Sequence, residues 1–307
     1  MTAPWCCLKI DVDTHDGMRD GVPRLLESFR AAGVRATFFL SFGPDNAGKA
    51  IWNVFRTRGF LRKMMKTGAP KLYGWRTVLS GTLLPARPIA TAFPEIVRRI
   101  EAEGHEAGVH AWDHRLWQDH LAALSPDRIA EQYARSFEAF ERVLGRRAES
   151  AAAPAWCATA ASWRAQDTLK LRYASDCRGG EPCFPVLDGY RSTTLQLPTT
   201  QPCLEELLTL GERDLERCAE KVLDIAPGTR APVLPLHAEV EGGVYRPFLD
   251  ILLRKMRERG LGTRTLRQAA DEVLAAPNPP PVRTVRPTTL AGRAGFVIGC
   301  AAGPEAP

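Results

Sequence analysis

"WCCLKIDVDT", residues 5–14, decides how the rest of the chain is read. Its first eight residues are an apolar run rich in strand formers, and it ends on two carboxylates, Asp11 and Asp13. "GVPRLLESFRAAG" follows, with Val22, Leu25, Leu26 and Phe29 at helical spacing and Gly33 as a C-terminal stop. "VRATFFLSF" then supplies a second buried strand. Strand, helix and strand in this order predict a parallel crossover unit, since parallel strands need a long return connection that a helix provides.

The same alternation recurs downstream. "PEIVRRIEAEG" reads as a helix and "HEAGVH" as a short strand. "SPDRIAEQYARSFEAFERVLG" reads as a helix with Ser125 as N-cap, Pro126 in its first turn and a core-facing stripe of Ile129, Tyr133, Phe137, Phe140 and Leu144. Further strands are expected at "RYASD", "TTLQLP" and "PVLPLHAEV", and helices at "RDLERCAEKVLDI", "RPFLDILLRKM" and "LRQAADEVLAA". No dinucleotide fingerprint accompanies them. The expected architecture is a single α/β domain over residues 1–276, a parallel barrel or open sheet. Residues 277–307 begin "PNPPPVRTVRPTT" and are expected to form a mobile, proline-rich basic tail.

A chain of 307 residues, 45% hydrophobic, can bury one large core, which excludes disorder as the default. No basic region and cleavage site mark the N-terminus for secretion. The apolar run "AGFVIGCAAG" is far shorter than the roughly 18–20 residues of a spanning helix. The eight cysteines show no C-x-x-C pair and no zinc-site spacing, which favours a reducing cytoplasm. The net charge of +6 is modest but unevenly spread. From Asn46 to Pro94 there is no acidic residue, while Lys49, Arg56, Arg58, Arg62, Lys63, Lys66, Lys71, Arg76 and Arg87 are basic. Interleaved with Ile51, Trp52, Phe55, Leu61, Met64 and Met65, they make an amphipathic insertion over about 46–94 suited to an anionic membrane surface. No nucleic-acid recognition motif accompanies it, so nucleic acid is not an expected partner. The sequence sets no oligomeric state.

In a parallel barrel, residues at the C-terminal ends of strands converge on one mouth. Asp11 and Asp13, Asp176 in "RYASD" and His237 in "PVLPLH" all fall at such ends, and "HAWDH" places His110 and His114 just after another. On a helical segment the two histidines, four apart, would face the same way and grip a divalent metal with a carboxylate as third ligand. Taken singly, the histidines read sooner as surface or capping residues and Asp-x-Asp as a helix cap; it is their joint placement that points to a site. The two aspartates are expected to reach one mouth where the strand frays.

Together, "IDVDT", "HAWDH" and "LPLH" resemble the motifs of the metal-dependent polysaccharide deacetylase family, the NodB-homology domain, over residues 5–275. The resemblance implies a distorted (β/α) barrel of about seven strands. It also implies site roles: Asp11 as catalytic base, Asp13, His110 and His114 as metal ligands, His237 as general acid, and Asp176 as the group that orients His237. The metal implied is one divalent cation, whether zinc, cobalt, manganese or nickel. One departure stands out. The family carries an arginine ahead of a proline in its third motif, where it positions the base, but this chain reads "ESAAAPAWCAT". Arg178 is expected to take that task. Glu239 and Glu241 in "HAEVEGG" are expected to be solvated strand-end acids, or to hold a substrate amine or support the site.

Longer words, among them "DTHDGMRDGVPRLLE", "FGPDNAGKAIW", "LYGWRTVLSGT" and "RYASDCRG", are similar to a narrower branch, deformylases of a polyprenyl-phosphate-linked formamido sugar. That similarity implies a peripheral enzyme on the cytoplasmic face of the inner membrane, serving lipid A modification. Two alternatives stay open: an N-deacetylase of another acylated sugar or oligosaccharide, and a metal- or lipid-binding pseudoenzyme.

Overall fold

Strand β1 (Trp5–Val12) is the axis of the structure, a computed structural model that describes residues 4–49 and 80–300. It is followed by α1 (Val22–Ala32), β2 (Thr37–Ser41), α2 (Pro94–Ala102), β3 (Glu106–Ala111), α3 (His114–His120) and α4 (Pro126–Leu144). Next come β4 (Ser150–Ala151), α5 (Ala160–Thr168), β5 (Tyr173–Ala174), β6 (Phe184–Leu187), β7 (Tyr190–Arg191), α6 (Leu204–Thr209) and α7 (Leu215–Val222). The described chain closes with β8 (Val233–His237), α8 (Arg246–Glu258), β9 (Gly262–Arg264), α9 (Leu266–Ala275), β10 (Val282–Thr288) and β11 (Val297–Cys300).

Seven strands form one parallel sheet in the order β5-β4-β3-β2-β1-β8, with β9 paired to the first residues of β1. The extended segment 194–201 fills the gap between its ends. The Ala174 and Cys177 carbonyls accept from the Leu197 and Thr199 amides on one side, and the Val233 carbonyl accepts from the Thr200 amide on the other. The expected distorted barrel is therefore present, and "TTLQLP" closes it without forming a regular strand.

Alternation along β1 sorts its side chains into two layers. Cys6, Leu8, Ile10 and Val12 point outward and pack with Leu25, Leu26 and Phe29 of α1 and Phe248 and Leu252 of α8. Burial of each large apolar side chain contributes roughly 1.5–3 kcal/mol, so this outer core fixes the strand register. Cys7 points inward, towards Phe39, Tyr173, Leu197 and Val233. Lys9 and Asp11 share that inward parity, and Asp13 continues it, so the aspartates need no frayed end to reach one mouth.

Two close backbone approaches complete the mouth. A Cβ on Gly21 would lie 2.0 Å from the Ala238 carbonyl oxygen, and one on Gly242 would lie 2.6 Å from Gly21. Glycine at both positions lets the turn after β1 press on the turn after β8.

Where residues 277–300 are described, the expected tail is docked: Val282–Thr288 and Val297–Cys300 are paired strands. Strand β10 pairs parallel with β6 and antiparallel with β11, in a second sheet ordered β11-β10-β6-β7. Val285 and Ile298 bury against Trp163, Cys177, Cys183 and Leu187. Prolines and arginines dominate the composition here, but a few apolar residues at the right alternation suffice to dock it.

Most of the basic, amphipathic insertion, residues 50–79, lies outside the described residues. Its described ends pack on the barrel: Asn46 donates to the Asp113 carboxylate at 2.7 Å, and Arg87 pairs with Asp16 at 3.1 Å. Among the described residues no helix is long and apolar enough to cross a membrane.

Candidate active site

Asp13 follows β1, His110 lies on β3, and His114 opens α3. The two histidines thus straddle a strand-to-helix turn, not one helix as their spacing suggested. Asp113 between them caps α3 by accepting from the Leu116 amide at 3.0 Å. His110 Nε2 and His114 Nε2 each lie 3.2 Å from an Asp13 carboxylate oxygen. Ligand atoms from all three residues fall within 4.8 Å of one another.

The tautomer of His110 tests whether this trio suits a cation. Its Nδ1 lies 2.8 Å from the Ala152 carbonyl oxygen. A carbonyl only accepts, so Nδ1 carries a proton, and in the neutral imidazole that a metal ligand must be, Nε2 turns a lone pair towards Asp13 Oδ1, itself buried without a hydrogen-bond partner. Two acceptors facing each other at that distance call for a positive charge between them, so the donor set fits a divalent cation. Burial alone would raise the Asp13 carboxyl, but where protons on the two imidazoles take the place of such a cation, the charge of His114 and the hydrogen bonds from His110 and His114 outweigh it and hold its pKa well below the usual value.

Asp11 is buried beside this trio. Its Oδ2 accepts from Lys9 Nζ at 2.5 Å, while its Oδ1 has no protein partner. Arg178 was expected beside this carboxylate, but it pairs with Glu206 at 3.0 Å and stacks over Trp156. The cation at Asp11 is Lys9, which sequence reasoning misses because lysine in an apolar strand reads as a chance polar residue.

His237 stands directly in register with Asp11 across the β1–β8 pairing. Its Nδ1 lies 2.9 Å from Glu205 Oε1, on the first turn of α6. Burial disfavours the imidazolium, yet Glu205, with Asp13 and Asp11 behind it, raises the His237 pKa well above the ordinary value. Asp176, expected to orient His237, does something else. Its carboxylate accepts from the Ala153 amide, Trp163 Nε1, Gln166 Nε2 and Gln196 Nε2, all at 2.7–3.1 Å, and these four donors saturate it. Glu205 was missed because it sits in "CLEELL", an ordinary amphipathic helix start with no spacing signal.

Glu241 is not a solvated acid either. It is fully buried and accepts the His237 amide at 2.7 Å, and burial pushes its carboxyl up to about 8. Glu239 lines the cleft, and burial together with Asp13 raises it well above the usual range.

A cleft of about 280 Å³ joins the Asp13–His110–His114 trio, Asp11 and His237. Trp156 forms part of its wall, and Gly292, Arg293 and Ala294, from the loop between β10 and β11, form another part. Gly292 has φ +81°, and a Cβ there would lie 2.3 Å from the Glu206 carbonyl oxygen. Arg293 is the one arginine or lysine among the described lining residues.

Residues 12–174, which include the trio, match the family model described as polysaccharide deacetylase. The chain is 33% identical over 254 residues to a probable 4-deoxy-4-formamido-L-arabinose-phosphoundecaprenol deformylase ArnD of Shewanella sediminis, covering 83% of this chain and 82% of that one. It is 26% identical over 282 residues to the protein of the same name in Wigglesworthia glossinidia brevipalpis, covering 92% and 97%. Among solved structures, a candidate polysaccharide deacetylase from Mycobacterium smegmatis superposes with a TM-score of 0.60 at 18% identity, over 91% of this chain and 93% of that one. The barrel and these relatives agree: the chain belongs to the polysaccharide deacetylase family and is a hydrolase of amide bonds.

Proposed function

We propose that this chain removes the formyl group from 4-deoxy-4-formamido-L-arabinose carried on undecaprenyl phosphate, in a metal-dependent hydrolysis. One observation carries the reading: a paired carboxylate, a paired imidazole and a three-ligand trio line a single cleft in a chain 33% identical to a deformylase of that name.

Asp13, His110 and His114 would hold the cation. When bound, a divalent cation supplies Lewis-acid polarisation of an amide carbonyl and makes water a stronger acid. Asp11 Oδ1, free of protein partners, takes the proton of the water that attacks the formyl carbon. His237, its Nδ1 held by Glu205, presents Nε2 to protonate the sugar nitrogen as the C–N bond breaks. Formate and a free amine leave, and the water supplies the atoms that cap both. Arg293 puts a cation in the cleft wall, where the phosphodiester of the substrate would be met.

The amine product would be the aminoarabinose lipid that, attached to lipid A, lowers surface negative charge and resists cationic peptides. The basic and apolar residues between Asn46 and Pro94 would hold the enzyme to the cytoplasmic face of the inner membrane.

The family match favours a second reading, removal of an acetyl group. Purified protein with added divalent metal should be offered the formamido and the acetamido forms of the undecaprenyl-phosphate-linked sugar. Formate release from the first, with little acetate from the second, is expected. Preferred acetate release overturns the deformylase assignment, and release of neither returns the chain to a binding role.

A further inference from the structure

We propose that Lys9 is the positioning residue for Asp11, so that the cation orienting the base comes from within strand β1. The inference rests on Asp11 being the base.

Lys9 is 0% exposed, and its ammonium is 5.5 Å from the Phe39 ring and 5.1 Å from the Trp156 ring. An ammonium in such a place is costly to desolvate. A buried ion pair is weak evidence for stability, because apolar side chains of similar volume usually serve the fold as well or better. What the pair does accomplish is geometric. Lys9 and Asp11 lie two apart on one strand, so their side chains share a face at a spacing set by the backbone. The 2.5 Å contact fixes Oδ2 and leaves Oδ1 as the single unpartnered oxygen of a carboxylate that borders the cleft. A carboxylate free to rotate would present either oxygen, and its second lone pairs would compete for the cation that Asp13, His110 and His114 would hold. Arg178 is committed to Glu206 and shares the Trp156 ring, at 4.7 Å, with Arg293 at 4.6 Å. That leaves the base to Lys9.

The test is a double-mutant cycle on Lys9→Met and Asp11→Asn, with Lys9→Arg as the conservative rescue. Lys9→Met should lower kcat by about a hundredfold or more with KM and metal content unchanged, the signature of an interaction made in the transition state. Lys9→Arg should recover all but about tenfold, since its longer arm keeps the charge but shifts the contact. Lys9→Met/Asp11→Asn should be no slower than Asp11→Asn alone. Wild-type kcat in Lys9→Met, or a double variant that falls as far below Asp11→Asn as Lys9→Met falls below wild type, overturns the proposal. Should Lys9→Met fail to fold, the double variant removes both buried charges and the comparison with Asp11→Asn decides. The kinetics are read on whichever acyl group the wild type releases. If it releases none, the functional reading fails separately, and a crystal structure of Lys9→Met, or of the double variant, still decides: a side chain at position 11 unmoved from its wild-type place refutes the positioning role.

Discussion

Replacing Asp176 with alanine separates its observed place from the catalytic part expected of it. Oδ1 accepts from the Ala153 amide at 2.7 Å, and Oδ2 accepts from Trp163 Nε1 at 3.0 Å, Gln166 Nε2 at 2.9 Å and Gln196 Nε2 at 3.1 Å. Truncation strands four buried donors, and each costs about 1–3 kcal/mol when left unmade. Burial raises the Asp176 carboxyl above its usual value despite those bonds, so removing the charge returns part of that cost. The net loss should be about 3–5 kcal/mol, comparable to breaking a buried pair. Against a typical total of about 5–15 kcal/mol this is severe, and Tm should fall on the order of 10 °C. Urea unfolding measures the first quantity and calorimetry the second. Turnover per folded molecule should stay within about tenfold of wild type, because the Asp176 carboxylate is bonded to Ala153, Trp163, Gln166 and Gln196 and to none of Asp11, Asp13, His110, His114 and His237. An Asp176→Ala protein of normal stability that has lost turnover a hundredfold would refute the argument and restore Asp176 to the His237 relay.

Other outcomes follow from the cleft. His237→Ala should keep its metal and lose about two to four orders of magnitude in turnover, and near-normal hydrolysis removes it from the reaction. In Glu205→Gln the imidazolium loses the charge that raises its pKa, so His237 deprotonates earlier and the alkaline limb of the pH–rate profile should move to lower pH; an unmoved limb contradicts the pairing. Alanine at Asp13, His110 or His114 should lower metal content by elemental analysis, whereas Asp11→Asn should retain it and keep only a small residual turnover. Glutamate at Arg62, Lys63 and Lys66 together should abolish sedimentation with anionic liposomes while sparing hydrolysis of a short-chain soluble analogue, and undiminished sedimentation would show those residues to be an ordinary solvated face.

The barrel was legible because its code is local. Apolar runs end on Asp13 and His237, Gly33 stops α1, and Ser125 starts α4 where its position announced it. The gathering of Asp11, Asp13, His110, His114 and His237 at one mouth followed from their places at strand ends. What the sequence hid were pairings made by side chains from different elements. Nothing in residues 204–209 reports that α6 swings Glu205 to His237, and nothing in "RYASD" reports that Trp163, Gln166 and Gln196 already surround Asp176. The docked β10–β11 segment was hidden for another reason: proline and arginine content outweighs three buried apolar residues, Val285, Val297 and Ile298, in any reading by composition.

Because Gly292, Arg293 and Ala294 hang from the loop between β10 and β11, one wall of the cleft rests on the smaller of the two sheets. Proteins open locally in cooperative units, and segments with fewer buried apolar contacts open at lower free energy. That sheet closes on a short cluster around Trp163, Val285 and Ile298, against the long outer core of the barrel. Its amides should therefore exchange with solvent ahead of those of β1. A ligand seated against Arg293 binds only the closed wall, so at a hundred times its Kd it should favour closure by about 2.7 kcal/mol and slow exchange in β10 and β11 roughly a hundredfold.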